Sequence, residues 1–251
     1  MSLLETRPPS APTAPASAPA GTPRHEPAAR RLGRALLSLP GLVVAFAVIT
    51  ALAMEPLHHV DLALQARWVH QVLPGWGHFF QAYLDPIAGQ SVDAPILVLV
   101  ALLVARRHGT WRPLLVAAAA EGAFYAIVGL MKIAFARPAP VRGGGVFFHG
   151  GLWRQGWEGI SFPSGHTAES VLIYGAIVYL LATYSGVSRR TARVLTGLVV
   201  VVALNAAFVS FFLGWHWTTD LVAGWIAGAI ALRVIVLGDR WLSRRLAGMG
   251  H

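Results

Sequence analysis

Residues 163–184 read PSGHTAESVLIYGAIVYLLATY, a short polar head followed by an almost wholly apolar run. A helix of ~20 apolar residues crosses the ~30 Å hydrocarbon core of a bilayer. The run therefore predicts a membrane helix, and the polar head sits at its mouth. Polar groups there cost free energy unless they act. Ser164 suits the N-cap, where its hydroxyl accepts from an unpaired helix amide. Gly165 lets a ligand approach the backbone closely. The start of a helix also presents free N–H groups and the positive end of its dipole, which together attract an anion.

The rest of the chain has the same grain. Of 251 residues, 55% are hydrophobic and 12% charged, about half the charged share of a soluble domain. Apolar runs occupy 35–54, 79–104, 112–132, 164–185, 193–213 and 217–237. The second is interrupted by Asp85, Pro86, Asp93 and Pro95, leaving 87–104 as its firm part. The pattern predicts an all-α fold, a six-helix transmembrane bundle spanning 35–240. Residues 1–34 are rich in Pro, Ala and Ser and are expected to form a disordered tail rather than a cleaved signal peptide. Residues 241–251 form a short basic tail. Segment 57–73 is too polar to span. Leu62, Leu64, Trp68, Val69 and Val72 share one face of it and predict an interfacial helix.

The absence of cysteine excludes disulfides and thiolate chemistry. A net charge of +9 first suggests nucleic acid, but the arginines fall in short clusters between apolar runs. No nucleic-acid partner is expected; membrane lipids are. Arg30, Arg31 and Arg34, then Arg106, Arg107 and Arg112, then Arg189, Arg190 and Arg193, then Arg240, Arg244 and Arg245 all fall on one side. The positive-inside rule makes that side, with both termini, cytoplasmic in a cell (inner) membrane. The opposite, periplasmic or extracellular side then holds Asp61, Asp85, Asp93 and the loop 133–163.

The polar motifs converge on that outer side. Lys132, the only lysine in the chain, ends the third run, and Arg137 follows it. Both add positive charge, and the arginine fork matches phosphate oxygens. PSGH opens the fourth run. GWHWTTD opens the sixth, with His216 and Asp220 spaced i,i+4 and so on one helix face. A carboxylate on one imidazole nitrogen fixes the tautomer and frees the other nitrogen as nucleophile or base. His166 is then the acid for a leaving oxygen. Two histidines, an acid and an anion cradle point to phosphoryl transfer.

These motifs, in this order, resemble the type 2 phosphatidic acid phosphatase (PAP2) superfamily, membrane lipid phosphatases related to the vanadium haloperoxidases. The resemblance covers roughly 35–240. It implies a six-helix bundle of the PAP2/haloperoxidase type acting on a lipid phosphate: phosphatidate, phosphatidylglycerol phosphate or a polyprenyl diphosphate. It implies that His216 forms a phosphohistidine, Asp220 orients it and His166 protonates the leaving group. Lys132, Ser164 and Gly165 hold the phosphoryl oxygens, and neither metal nor cofactor is needed. Two positions depart from the pattern: Ala139 and Ser210 stand where the family has phosphate-binding arginines. Arg137, two residues earlier, is expected to substitute. Fewer arginines favour a singly charged phosphodiester, and the sphingolipid headgroup transferases resemble this arrangement. A non-catalytic polyprenyl-lipid binder is a third reading; six spans argue against a haloperoxidase.

Plainer readings stand beside these. His216 and Asp220 also fit a structural helix pair, or a metal site with His166. Lys132 also fits a snorkelling residue. Arg142 and Arg154 read as loop charges. Glu121 and Asn205 lie inside runs, where polar residues are functional candidates, although Glu121 is too far from Lys132 for the chemistry and suits an interhelix hydrogen bond. Glu169 either raises the His166 pKa or serves the helix start as an acid. Trp153, Trp157, Trp215, Trp217 and Trp225 read as an interfacial belt.

Overall fold

The computed structural model describes residues 28–64 and 71–248, and the regular elements among them are all helical. Most of the expected tail lies outside the described residues; from Ala28 the chain forms α1 (Ala28–Leu36). Ser38 then opens α2 (Leu39–Met54), its hydroxyl accepting from the Gly41 amide at 3.2 Å. Pro40 follows in the first turn, where no N–H is required. α3 (His58–Leu64) is bent by 71° from α2. Of the expected interfacial helix, Gln65–His70 lie outside the described residues.

α4 (Gly77–His108) and α5 (Arg112–Arg142) follow. The breakers Asp85 and Pro86 leave α4 one span but interrupt its regular helix, which starts at Gln90 after an extended Gly89 (φ −112°, ψ 159°). They shape it locally, with a π-helical turn at Phe80–Leu84 and a 3₁₀ turn at Pro86–Ala88. α5 carries a π-helical stretch at Phe124–Gly129 and ends its regular turns at Phe135, where Ala136 turns left-handed at φ 43°. α6 (Gly165–Tyr184), α7 (Arg189–Phe212) and α8 (Thr218–Gly248) complete the bundle. α4 to α8 are long and apolar enough to cross a membrane, and α2 with α3 makes a sixth if the bent pair is one span. The molecule is a multi-pass membrane protein.

α6 lies at the centre, against α4, α5, α7 and α8. Its Leu172, Ile173, Ala176 and Leu180 meet Leu97 and Ala101 of α4, Ala117 and Ala120 of α5 and Ala231 of α8, all buried. Helices in lipid gain little from the hydrophobic effect between them, so close packing and interhelical hydrogen bonds must hold them. The α6–α8 crossing shows both. A Cβ on Gly228 would stand 2.3 Å from the Ala168 carbonyl oxygen, and one on Gly224 would stand 2.0 Å from Thr167 Oγ1. Thr167 Oγ1 donates to Leu221 O at 3.0 Å, and the Ser164 amide donates to Asp220 O at 2.9 Å. The glycines let the helices touch, and the two bonds lock their starts together. That contact sets PSGH beside HWTTD. At the far side of α7, Asn205 Nδ2 donates to Leu84 O at 2.9 Å, a bond between spans.

Candidate active site

Helix ends deliver the polar groups. Lys132 lies in the last turn of α5, and its Nζ donates to Ile160 O at 3.0 Å. A Cβ on Gly165 would stand 3.4 Å from Lys132 Cε, so the bare glycine leaves the lysine room over the start of α6. Ser164 caps α6 through the Thr167 amide and is fully buried. Its hydroxyl thus serves the helix, and Ser164 is not among the residues lining the cavity beside it.

His216 sits in the turn between α7 and α8, just after Gly214, whose φ of 72° reverses the chain. Trp215 N donates to Ser210 O at 3.0 Å and closes that turn. Asp220 lies in the first turn of α8, where an acid is favoured. His216 Nδ1 lies 3.5 Å from Asp220 Oδ2, within ion-pair reach but without a formed hydrogen bond. Oδ2 instead accepts from the Trp217 amide at 3.1 Å. Burial pulls His216 far below the ordinary histidine value, to about 4, with Lys132 adding and Asp220 opposing. His216 is therefore neutral at physiological pH, the form in which imidazole is a nucleophile. His166, in the first turn of α6, meets Asp85 instead: Nε2 and Oδ1 are 3.3 Å apart. Asp85 reaches it from between the π and 3₁₀ turns of α4.

Arg137 does not take its expected place among the phosphate ligands. It is fully buried and does not line the cavity. Nη1 donates to Asp220 Oδ1 at 2.6 Å and to Thr219 Oγ1 at 2.8 Å, Nη2 to Asp61 Oδ2 at 2.7 Å, and Nε to Gly145 O at 2.8 Å. A guanidinium saturated by two carboxylates has no fork left for phosphate. Trp217, read from sequence as part of an interfacial belt, is likewise buried at 1% exposure, its Nε1 donating to Pro138 O. Trp153 and Trp157 are the exposed ones, at 93% and 80%.

Lys132, Gly165, His166 and His216 line one cavity of about 720 Å³, with Trp157, Trp215 and Phe124 among its apolar walls. Ala139 also lines it, where the resemblance expects an arginine; Ser210 is wholly buried with no partner for its hydroxyl. Among the described residues Lys132 is the only lysine or arginine in the lining. Glu158, at the rim, pairs with Arg142 at 2.5 Å, both half exposed. Glu169 lines the cavity, 4% exposed, one oxygen unpartnered, while His166 has Asp85 as its carboxylate. Glu121 accepts from Gln90 Nε2 at 3.5 Å, a bond between spans. Among the described residues no three His, Asp or Glu side chains group so as to hold a metal ion.

Two functional neighbours escaped the sequence reading. The sequence reading sets Asp61 and Asp85 on the outer side and gives them no role. The signal available was burial: acids beside apolar runs need partners, and Arg137 and His166 were the unpaired cations within reach.

The family model of the PAP2 superfamily matches residues 110–244. No curated protein matches the chain. Among solved structures, the chain is similar to the crystal structure described as the first transmembrane PAP2 type phosphatidylglycerolphosphate phosphatase from Bacillus subtilis. The TM-score is 0.63 at 20% identity, covering 81% of this chain and 96% of that one.

Proposed function

Since the chain belongs to the PAP2 superfamily, we propose that it is a membrane lipid phosphatase that works through a phosphohistidine on His216. The observation that carries this reading is the single cavity lined by Lys132, Gly165, His166 and His216. The similar Bacillus subtilis structure is that of a phosphatidylglycerolphosphate phosphatase, which keeps a glycerophospholipid phosphate among the substrates beside a polyprenyl diphosphate. The site faces the side opposite the arginine clusters, periplasmic or extracellular.

In the first step the free Nε2 of His216 attacks phosphorus as the P–O bond to the lipid breaks, and His166 gives its proton to the leaving oxygen. Asp220 supports the positive charge that the phosphorylated imidazole gains. In the second step His166 takes a proton from water, whose oxygen attacks phosphorus; the P–N bond breaks and inorganic phosphate leaves. Lys132 and the α6 amides hold the phosphoryl oxygens throughout, so rate comes from positioning and charge.

The test is phosphate release in detergent, with a chelator present, from phosphatidate, phosphatidylglycerol phosphate and undecaprenyl diphosphate. Release that disappears in His216→Ala is the expected result. No release from the parent on any of them would overturn the phosphatase reading. A second reading is transfer of a phosphodiester headgroup. Ala139 and the lone Lys132 favour it, because one cation matches one negative charge. Turnover that requires a lipid acceptor would select it.

A further inference from the structure

Arg137 lies between Asp220 and a carboxylate far away in sequence. We propose that Asp61 and Arg137 are positioning residues for the reaction, forming a buried Asp61–Arg137–Asp220 relay that sets how much negative charge Asp220 presents to His216. The inference rests on the phosphatase reading for its meaning, but its geometry stands by itself.

The side chains of all three residues have no exposure. Asp61 Oδ2 accepts from Arg137 Nη2 at 2.7 Å and from Thr219 Oγ1 at 2.6 Å; its Oδ1 accepts from the Thr219 amide at 3.1 Å. Thr219 Oγ1 accepts in turn from Arg137 Nη1 at 2.8 Å. The guanidinium also lies over the Phe147 and Trp217 rings, 4.8 and 5.2 Å from their centroids. Water reaches none of this, so charge is balanced only by the partners present.

Three arrangements can be compared. Asp220 buried without Arg137 would take up a proton and stop supporting an imidazolium. Asp220 paired with Arg137 alone would have much of its charge neutralised. With Asp61 on the other face, the cation is divided, and the group of three keeps a net negative charge. Of the Asp220 oxygens, Oδ1 faces Arg137 and Oδ2 faces the Trp217 amide and His216. The retained charge therefore lies on the side where the phosphohistidine would form. Asp61 comes from α3, and its bond to the Thr219 amide fixes that short helix to the first turn of α8.

A mere staple would have the same bonds, so the test must read charge at His216. Asp220, Lys132 and His166 face that imidazole, and none of them changes in the variants. The probe is titration of His216 in the full-length protein by NMR of labelled histidine, assigned with His216→Ala. Asp61→Asn keeps the shape and removes the charge. Arg137 then bears wholly on Asp220, and the His216 titration falls by about one pH unit. Arg137→Gln lets Asp220 take up a proton and so also moves it downward, and Arg137→Lys restores the parent value. With an active substrate, Asp61→Asn lowers kcat by about 10²-fold and leaves KM nearly unchanged. A folded Asp61→Asn protein whose His216 titrates as in the parent overturns the relay. Should Arg137→Gln fail to fold, Asp61→Asn carries the test alone. Absence of phosphate release from the parent would sink the phosphatase reading, while the titration would still decide the relay.

Discussion

α5 and α8 are clamped together twice, once at each end, by an arginine of α5 on an aspartate of α8. At the site end Arg137 grips Asp220 at 2.6 Å, and at the arginine-rich end Arg112 grips Asp239, also at 2.6 Å. The two aspartates lie 19 residues apart on one helix, about 28 Å at 1.5 Å per residue. Their settings differ. Asp239 takes its remaining bonds from the Tyr179 and Tyr184 hydroxyls, at 2.6 and 2.9 Å, and Arg112 is 23% exposed. Asp220 shares its arginine with a second carboxylate and is wholly enclosed. A neutral donor set is enough to bolt two helices. The second carboxylate at the site end leaves surplus negative charge beside His216, the nucleophile of the proposed mechanism.

Breaking the two clamps should separate these roles. His216→Ala is expected to lower phosphate release by about 10⁴-fold or more without a matching loss of fold. Each pH unit below about 4 should cost close to tenfold, because His216 becomes protonated there and loses its lone pair. On the alkaline side the rate should fall as His166 loses the proton it donates. A flat profile across about pH 5 to 9 would remove His166 as the acid. At the other end, Asp239→Ala should destabilise the protein by about 2–3 kcal/mol, less than a fully buried pair because Arg112 is partly solvated. Thermal unfolding in detergent reads that loss, while kcat per folded molecule should not change. If kcat drops instead, the far clamp also shapes the site. Ala139→Arg should sharpen the charge argument by restoring a cation to the cavity wall. Relative kcat/KM for a dianionic monoester over a diester should rise by about tenfold. Arg142→Ala, at the exposed rim pair, should change stability by about 1 kcal/mol or less.

The spans were legible because twenty apolar residues in water have no other good solution, and the helix mouth at Ser164 was legible because capping is local chemistry. His216 and Asp220 do come within 3.5 Å, but His216 stands in the turn before α8 and not on its helical face, so helical spacing pointed to the pair for the wrong local reason. What spacing does not reveal is whether a donor is already engaged. Arg137 looked free in sequence because Asp61, 76 positions earlier, meets it only after α3 bends back from α2. Asp85 was similarly hidden, since it reads as a breaker of α4 until the π and 3₁₀ turns bring it to His166. Trp217 reads as an interfacial ring until the loop 136–163 folds over it and supplies Pro138 O. These three cases share one cause: a long-range partner decides the role of a locally ambiguous residue.

The position of Asp61 also bears on how such enzymes recombine. The segment matched by the family model, 110–244, holds His166, His216, Lys132 and Arg137, yet neither Asp61 nor Asp85. Transplanted behind a different front half, it would carry Arg137 with one counter-ion instead of two and His166 without its carboxylate. Asp61 with Arg137, and Asp85 with His166, therefore each join a residue outside the matched segment to one inside it. A chimera that exchanges one member of a pair should regain function only when the other is exchanged with it.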